Sequence, residues 1–164
     1  MKAAPATASM ETPIGMIMFT ASAQSLLSVR ILARPLGARH DATHPVLEEA
    51  MGQFKEWFAG RRTLFTLPLA PAGSIEGEKL RAAIASIPYG ETATYGALAA
   101  RCGTIARAIG QACKTNPFPL LIPCHRVVST AGREYYSAGA GPETKAWLLD
   151  FEALHAHGMR RRLL

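Results

Sequence analysis

The chain lacks paired cysteines, long apolar runs and, over one long interval, any acidic residue. Its three cysteines, Cys102, Cys113 and Cys124, form no CxxC pair and are odd in number. That argues against a disulfide framework and a structural zinc site, and fits a reducing cytosol. No apolar run approaches the roughly 18 residues that a membrane helix needs. The N-terminus shows no apolar signal core followed by a cleavage site, so a cytoplasmic, unexported protein without a membrane partner is expected. Low-complexity segments and internal repeats are also missing. Between Glu91 and Glu134 there is no acid, while Arg101, Arg107, Lys114, Arg126 and Arg133 fall there. A basic interval of that kind is an electrostatic footprint for phosphate.

What is present suffices for folding. At 164 residues, with 49% apolar and 18% charged side chains, the chain can bury about two thirds of its unfolded surface. Residues 1–11 read as a flexible tail. Met16 to Phe19 and Leu26 to Leu32 read as strands. Thr43-His44-Pro45 opens a helix with apolar residues at helical spacing up to Gly60. Leu64 to Leu69 is a candidate further strand, and the Pro/Gly/Ser stretch from Pro68 to Ser74 a linker. Ser74 caps a helix that Pro88 ends. Thr94 caps Tyr95 to Arg101, Cys102-Gly103 turns, and Thr104 caps a helix from Ile105 to Lys114. Two short helices joined by a glycine turn have the form of a helix-turn-helix. Gly141-Pro142 introduces a last helix, with Trp147, Leu148, Phe151 and Leu154 as its buried stripe, and Arg160-Arg161-Arg162 reads as a disordered basic tail. The expected architecture is α/β: a small sheet-and-helix lobe, 1–69, and a mainly helical lobe, 70–164.

The chemistry concentrates at Pro123-Cys124-His125-Arg126. A thiol attacks as thiolate, and neighbouring imidazole or cationic groups promote that form. Pro117, Pro119 and Pro123 stiffen the turn. These residues leave two readings open, a nucleophile and a buried inert cysteine. The second motif helix carries small residues at Ala106, Ala108, Gly110 and Ala112, which permit close approach to a narrow groove, with Arg107 as its one large wedge. Enzymes that act on a base within a duplex extrude it, and an inserted cation offsets part of that cost.

Ile87-Pro-Tyr-Gly-Glu-Thr-Ala-Thr-Tyr-Gly-Ala-Leu-Ala-Ala100, Ala106-Arg-Ala-Ile-Gly-Gln-Ala112, Asn116-Pro117 and Ile122-Pro-Cys-His-Arg-Val-Val128 occur in order, followed by Lys145-Ala-Trp-Leu-Leu149 and Glu152. In this the chain resembles the O6-alkylguanine-DNA alkyltransferases. The resemblance implies transfer of an alkyl group from O6-alkylguanine in double-stranded DNA to Cys124, once per molecule, with O4-alkylthymine as a second candidate substrate. It implies that His125 reaches the thiol through a water and that Glu152 holds the imidazole's other nitrogen. Asn116 braces the cysteine turn, and Tyr95 contacts the flipped base and donates a proton as it leaves. Arg107 is the arginine finger, inserted through the minor groove, and Thr94, Ala106, Ala108, Gln111, Lys114 and Arg126 are expected to contact DNA. Tyr95, Val128, Tyr136 and Ser137 are expected to line the substrate pocket, whose loop, Tyr135-Tyr-Ser-Ala-Gly-Ala-Gly141, departs from the family's Gly-x-Tyr-x-Gly-Gly.

No cofactor and no metal are implied, and a monomer is expected, associated with the nucleoid in a prokaryote. The alternative is a noncatalytic alkyltransferase-like damage-binding protein, a class that carries tryptophan where this chain has Cys124. A cysteine hydrolase built on Cys124, His125 and Glu152 lacks an evident oxyanion motif and leaves the helix-turn-helix without a task.

Overall fold

The computed structural model describes residues 4–33, 44–131 and 135–162, with side chains as far as 156. Thr43 and Arg133, and the side chains of Arg160, Arg161 and Arg162, lie outside the described set. The chain divides into two compact units: Met1–Ala70 with Ala138–Ala140, and Pro71–Ser137 with Gly141–Leu164.

The first unit is an antiparallel meander, β1 (Ala6–Thr12), β2 (Gly15–Ala21) and β3 (Leu26–Leu32), with helix α1 (Pro45–Phe58). The segment 1–11, read as a tail, thus supplies strand β1. Its small and polar sequence has little strand propensity, and pairing against β2 overrides that. Alternation places Ala8, Phe19 and Val29 in one cross-strand row and Met10, Ile17 and Ile31 in the next. In α1, Leu47, Ala50, Met51, Phe54 and Trp57 are buried. Phe54 meets Phe19 edge-on, ring centres 4.9 Å apart. Pro45 occupies the first turn, and His44 Nδ1 accepts from the Leu47 N–H at 3.4 Å. Gly15 has φ +114° and faces the Leu32 carbonyl, which a Cβ would strike, so the β1–β2 turn requires glycine there.

Leu64 to Leu69 forms no strand. Its contact with the sheet is a single bridge at Leu69 to Leu26, with Leu26 N donating to Pro68 O and Ala70 N to Leu26 O. Pro68 has no N–H with which to extend that ladder.

The second unit holds α2 (Ile75–Ala85), β4 (Ala93–Thr94), α3 (Tyr95–Arg101), α4 (Ala106–Lys114), a 3₁₀ turn (Cys124–Arg126), β5 (Val127–Val128) and α5 (Pro142–Arg162). Ser74 caps α2, its Oγ accepting from Gly77 N at 3.0 Å, and Thr94 caps α3, its Oγ1 accepting from Ala97 N at 3.1 Å. Each such cap stabilises by about 1 kcal/mol. Gly103, at φ +66°, makes the turn between α3 and α4. Ile105 rather than Thr104 is the N-cap of α4, without a side-chain bond. The parallel pair β4–β5 matches Ala93 with Val127 and Thr94 with Val128. It thereby ties the start of the helix-turn-helix to the chain leaving the cysteine turn. Beneath lie Ile84, Ile87, Leu98, Ile109, Phe118, Val127 and Leu148, all buried.

Two expectations for α5 need correction. The helix continues to Arg162, where a disordered tail was expected. Its buried side is Thr144, Lys145, Leu148 and Glu152, whereas Leu154 is 71% exposed. Trp147, Phe151 and His155 stack on one another along a half-buried flank. Hydrophobicity misplaced the stripe because charged groups with buried partners occupy it.

Candidate active site and nucleic-acid interface

The site is built around the segment that leads from α4 into the 3₁₀ turn. Leu120, buried and at φ +72°, adopts a left-handed conformation unusual for a branched side chain. Strain of this kind costs about 1–3 kcal/mol and persists only where the surroundings over-determine it. Here the surroundings are the Asn116 side chain, whose Oδ1 accepts from Phe118 N at 2.9 Å and whose Nδ2 donates to Ile122 O at 2.8 Å. The same Nδ2 donates to Cys124 Sγ at 3.2 Å. Asn116 therefore fixes the turn and touches the sulfur.

Cys124 is buried, 5% exposed. Burial pushes its thiol up, while the Asn116 hydrogen bond and the Lys145 ammonium pull against that rise. The cation that acts on this thiol is Lys145 rather than Arg126, and its pull is outweighed by burial. Lys145, 1% exposed, donates to Val127 O at 2.7 Å and to Tyr135 O at 3.4 Å. Its Nζ lies 6.0 Å from the centre of the Tyr95 ring. The helical pattern of α5 gave no sign that its lysine turns inward.

His125 is fully buried, and its Nε2 lies 2.7 Å from Glu152 Oε1. A carboxylate acceptor fixes the tautomer with the proton on Nε2. That leaves Nδ1 as the basic nitrogen, buried and without a hydrogen-bond partner among the described residues. Burial lowers the imidazole's affinity for a second proton, and the bond to Glu152 works against that. Glu152 is 1% exposed. Burial pushes its carboxyl up, but His125 and Arg126 outweigh this and hold it below the usual carboxylate range.

Arg126, expected among the DNA contacts, is not on the surface. It is 6% exposed, and its Nε donates to Glu152 Oε1 at 2.7 Å and Oε2 at 2.9 Å. Its Nη1 donates to Ile87 O at 2.8 Å, and the guanidinium lies over the Tyr89 ring at 5.6 Å. A buried guanidinium needs a buried counter-charge, and the acid that supplies it is the one that orients His125. Burial and the nearby Glu152 carboxylate push the Tyr89 phenol up to about 12.

The remaining expected residues fall into two groups. Tyr95 is half-buried at the start of α3, and a Cβ on Gly110 would come within 4.0 Å of its ring. Tyr136 is buried and Val128 half-buried, whereas Tyr135 is 57% exposed, so Tyr136 is the tyrosine turned inward. Burial, then the neighbouring Cys124, Cys113 and Glu152, raise its phenol well above the ordinary value. Ser137 is exposed. On α4, Ala106, Arg107, Gln111 and Lys114 are exposed, and Ala108, like Thr94, is half-buried. These outward side chains form a surface rather than part of the buried cluster. Among the described residues, no three His, Cys, Asp or Glu side chains converge to hold a metal ion. No described helix is long and apolar enough to cross a membrane.

Comparison with known proteins bears on both parts. The family model for the 6-O-methylguanine DNA methyltransferase DNA-binding domain matches residues 77–154, which include Tyr95, Arg107, Cys124 and Glu152. The constitutive methylated-DNA–protein-cysteine methyltransferase of Bacillus subtilis is 42% identical over 112 residues, 67% of this chain and 68% of that protein. A methylated-DNA–protein-cysteine methyltransferase of Mycobacterium leprae is 32% identical over 149 residues, 88% of this chain and 90% of its own. The crystal structure of Mycobacterium tuberculosis OGT in complex with DNA superposes with a TM-score of 0.77 at 30% identity, covering 91% of this chain and 93% of that one.

Proposed function

The chain belongs to the methylated-DNA–protein-cysteine methyltransferase family, and from that premise we propose that Cys124 is the alkyl-accepting residue in direct repair of O6-alkylguanine in double-stranded DNA. The observation that carries this assignment is the polar frame of the turn that holds one sulfur. Asn116 donates to Cys124 Sγ, and beside it His125 is held by Glu152, which Arg126 neutralises. Of the three cysteines, Cys124 is the one set in such a frame.

The reaction follows from these groups. With its Nε2 proton committed to Glu152, His125 takes the thiol proton at Nδ1 through an intervening water, and the imidazolium so formed is stabilised by the carboxylate. General-base assistance of this kind contributes about 10²–10⁴-fold. Lys145 and the Asn116 amide stabilise the thiolate as it forms. The sulfur attacks the alkyl carbon of the extruded base in line with the C–O bond. The S–C bond forms, the C–O bond breaks, and its electron pair stays with the base. Tyr95 supplies a proton to the departing guanine, and the proton held on His125 restores the phenol. The products are a thioether on Cys124 and unmodified guanine. None of these groups can cleave a thioether, so each molecule acts once.

The C-terminal lobe carries both the acceptor and the DNA contacts. Arg107, exposed on α4, fills the space that the base leaves, and Thr94, Ala106, Ala108 and Lys114 approach the groove and backbone. Tyr136 and Val128 wall the base pocket, with Ser137 at its rim. Three free cysteines and a DNA substrate suit work in the cytosol.

A Cys124→Ser variant tests the assignment. It is expected to bind methylated duplex with near wild-type affinity and to transfer nothing, because a neutral hydroxyl is a poor nucleophile. Transfer by that variant would move the acceptor elsewhere. A wild-type protein that binds damaged duplex and transfers nothing would be a noncatalytic damage binder.

A further inference from the structure

Helix α4 spans Ala106–Lys114 and turns about 100° per residue. Arg107, Gln111 and Lys114 therefore fall within an arc of about 60° on its outer side. Ile109 and Cys113, both buried, face the other way. Along the helix axis the exposed side thus reads cation, amide, cation, and the positions around it are Ala106, Ala108 and Gly110. Gln111 is exposed, and its side chain has no hydrogen bond among the described residues. An amide with no side-chain partner among the described residues, displayed between two cations along a helix of small side chains, has both donor and acceptor available for a ligand.

We infer that Gln111 reads a base edge in the minor groove next to the lesion, making the protein selective for a G·C pair within about two base steps of the extruded base. The inference rests on the reading that Arg107 enters the vacated stack. The distance follows from the helix: four residues advance about 6 Å along its axis, against about 3.4 Å for each base step. Small residues let the helix enter a groove about 6 Å wide. In that groove every base pair offers acceptors, but only G·C adds a donor, the guanine N2 amino group. A lysine or arginine at this position could use the acceptors alone and would not discriminate. The Gln111 amide can do both at once, its Oε1 accepting from guanine N2 while its Nε2 donates to an adjacent acceptor. The second of these is available at any sequence, so the preference comes from the first.

The test compares single-turnover transfer on duplexes that carry G·C, A·T or inosine·C at the first and second positions on either side of O6-methylguanine. Inosine keeps every minor-groove acceptor and lacks the N2 amino group. The variant is Gln111→Ala, which keeps the helix because alanine is the stronger helix former. Differences in duplex stability act on both proteins alike, so the informative quantity is the G·C-to-inosine rate ratio of wild type divided by that of the variant. One net hydrogen bond predicts a quotient of about three to ten at one of these positions. A quotient of one at all of them overturns the inference, whether both proteins prefer G·C or neither does. Methyl transfer to Cys124 would persist in that case, so failure of the base reading is distinct from failure of the proposed function.

Discussion

Glu152→Gln should damage the protein in two separable ways, because one carboxylate serves two partners. Its Oε1 lies 2.7 Å from His125 Nε2, and its two oxygens accept from Arg126 Nε at 2.7 and 2.9 Å. All three side chains are buried. Removing the negative charge leaves the Arg126 guanidinium uncompensated in the interior, a change that costs about 3–5 kcal/mol. For a chain of this size, that is a fall in Tm of roughly 6–20 °C. The same substitution removes the charge that stabilises the imidazolium as His125 takes the thiol proton, so transfer should slow by about 10²–10⁴-fold. The assay is urea unfolding together with single-turnover transfer, at a temperature where both proteins are folded. Arg126→Met separates the two effects. Added to Glu152→Gln, it removes the orphaned cation and should recover much of the stability without recovering the rate, a coupling that a double-mutant cycle measures. A Glu152→Gln variant destabilised by less than about 1 kcal/mol, or a double variant no more stable than the single, would refute the account of a shared counter-charge.

Arg107→Ala should impair transfer most on well-matched duplexes and least on mispaired or single-stranded substrates, because extrusion costs least where pairing is poor; equal defects on all three would make Arg107 a phosphate contact. Lys114→Ala should weaken all duplexes alike and lower the salt slope of binding by about one unit. Lys145→Met should move the rate–pH profile to higher pH, since the ammonium pulls down the Cys124 thiol; an unshifted profile would leave that lysine as a brace for Val127 and Tyr135 only. Stability should fall on the acid side. His125 is held down by burial and Glu152 by its cationic partners, so the unfolded chain takes up protons first, from about pH 6.5 for the histidine and about 4.3 for the glutamate. Stability should also fall on the alkaline side above pH 9, because burial pushes the Cys113 thiol from 9.0 up to about 12 and the unfolded thiol ionises first; a flat stability profile at either end would contradict these shifts.

The parts of this molecule that are governed by local rules were legible in the sequence. Ser74 and Thr94 cap where side-chain oxygen precedes a helix, and Gly103 turns where a positive φ is needed. The cysteine turn announced itself through its prolines and Asn116. What escaped depends on partners distant in sequence. Arg126 reads as one more cation in an acid-free interval, and only the approach of Glu152, 26 residues later, makes it an interior group. Lys145 sits on the buried side of α5 because the Val127 and Tyr135 carbonyls meet its ammonium there, which no hydrophobic periodicity encodes. Strand β1 has too few branched or aromatic residues to be recognised, and exists because β2 pairs with it along its length. That Tyr136 is buried and Tyr135 exposed is likewise a matter of tertiary packing, which adjacent identical residues do not encode.

The most direct test of the central claim is peptide mass spectrometry of the protein after incubation with an excess of duplex DNA containing O6-methylguanine. The account predicts one added methyl group per molecule, on the peptide that carries Cys124, with no further turnover after that first transfer. A methyl group on Cys102 or Cys113 instead, or repeated turnover by an unmodified protein, would contradict it.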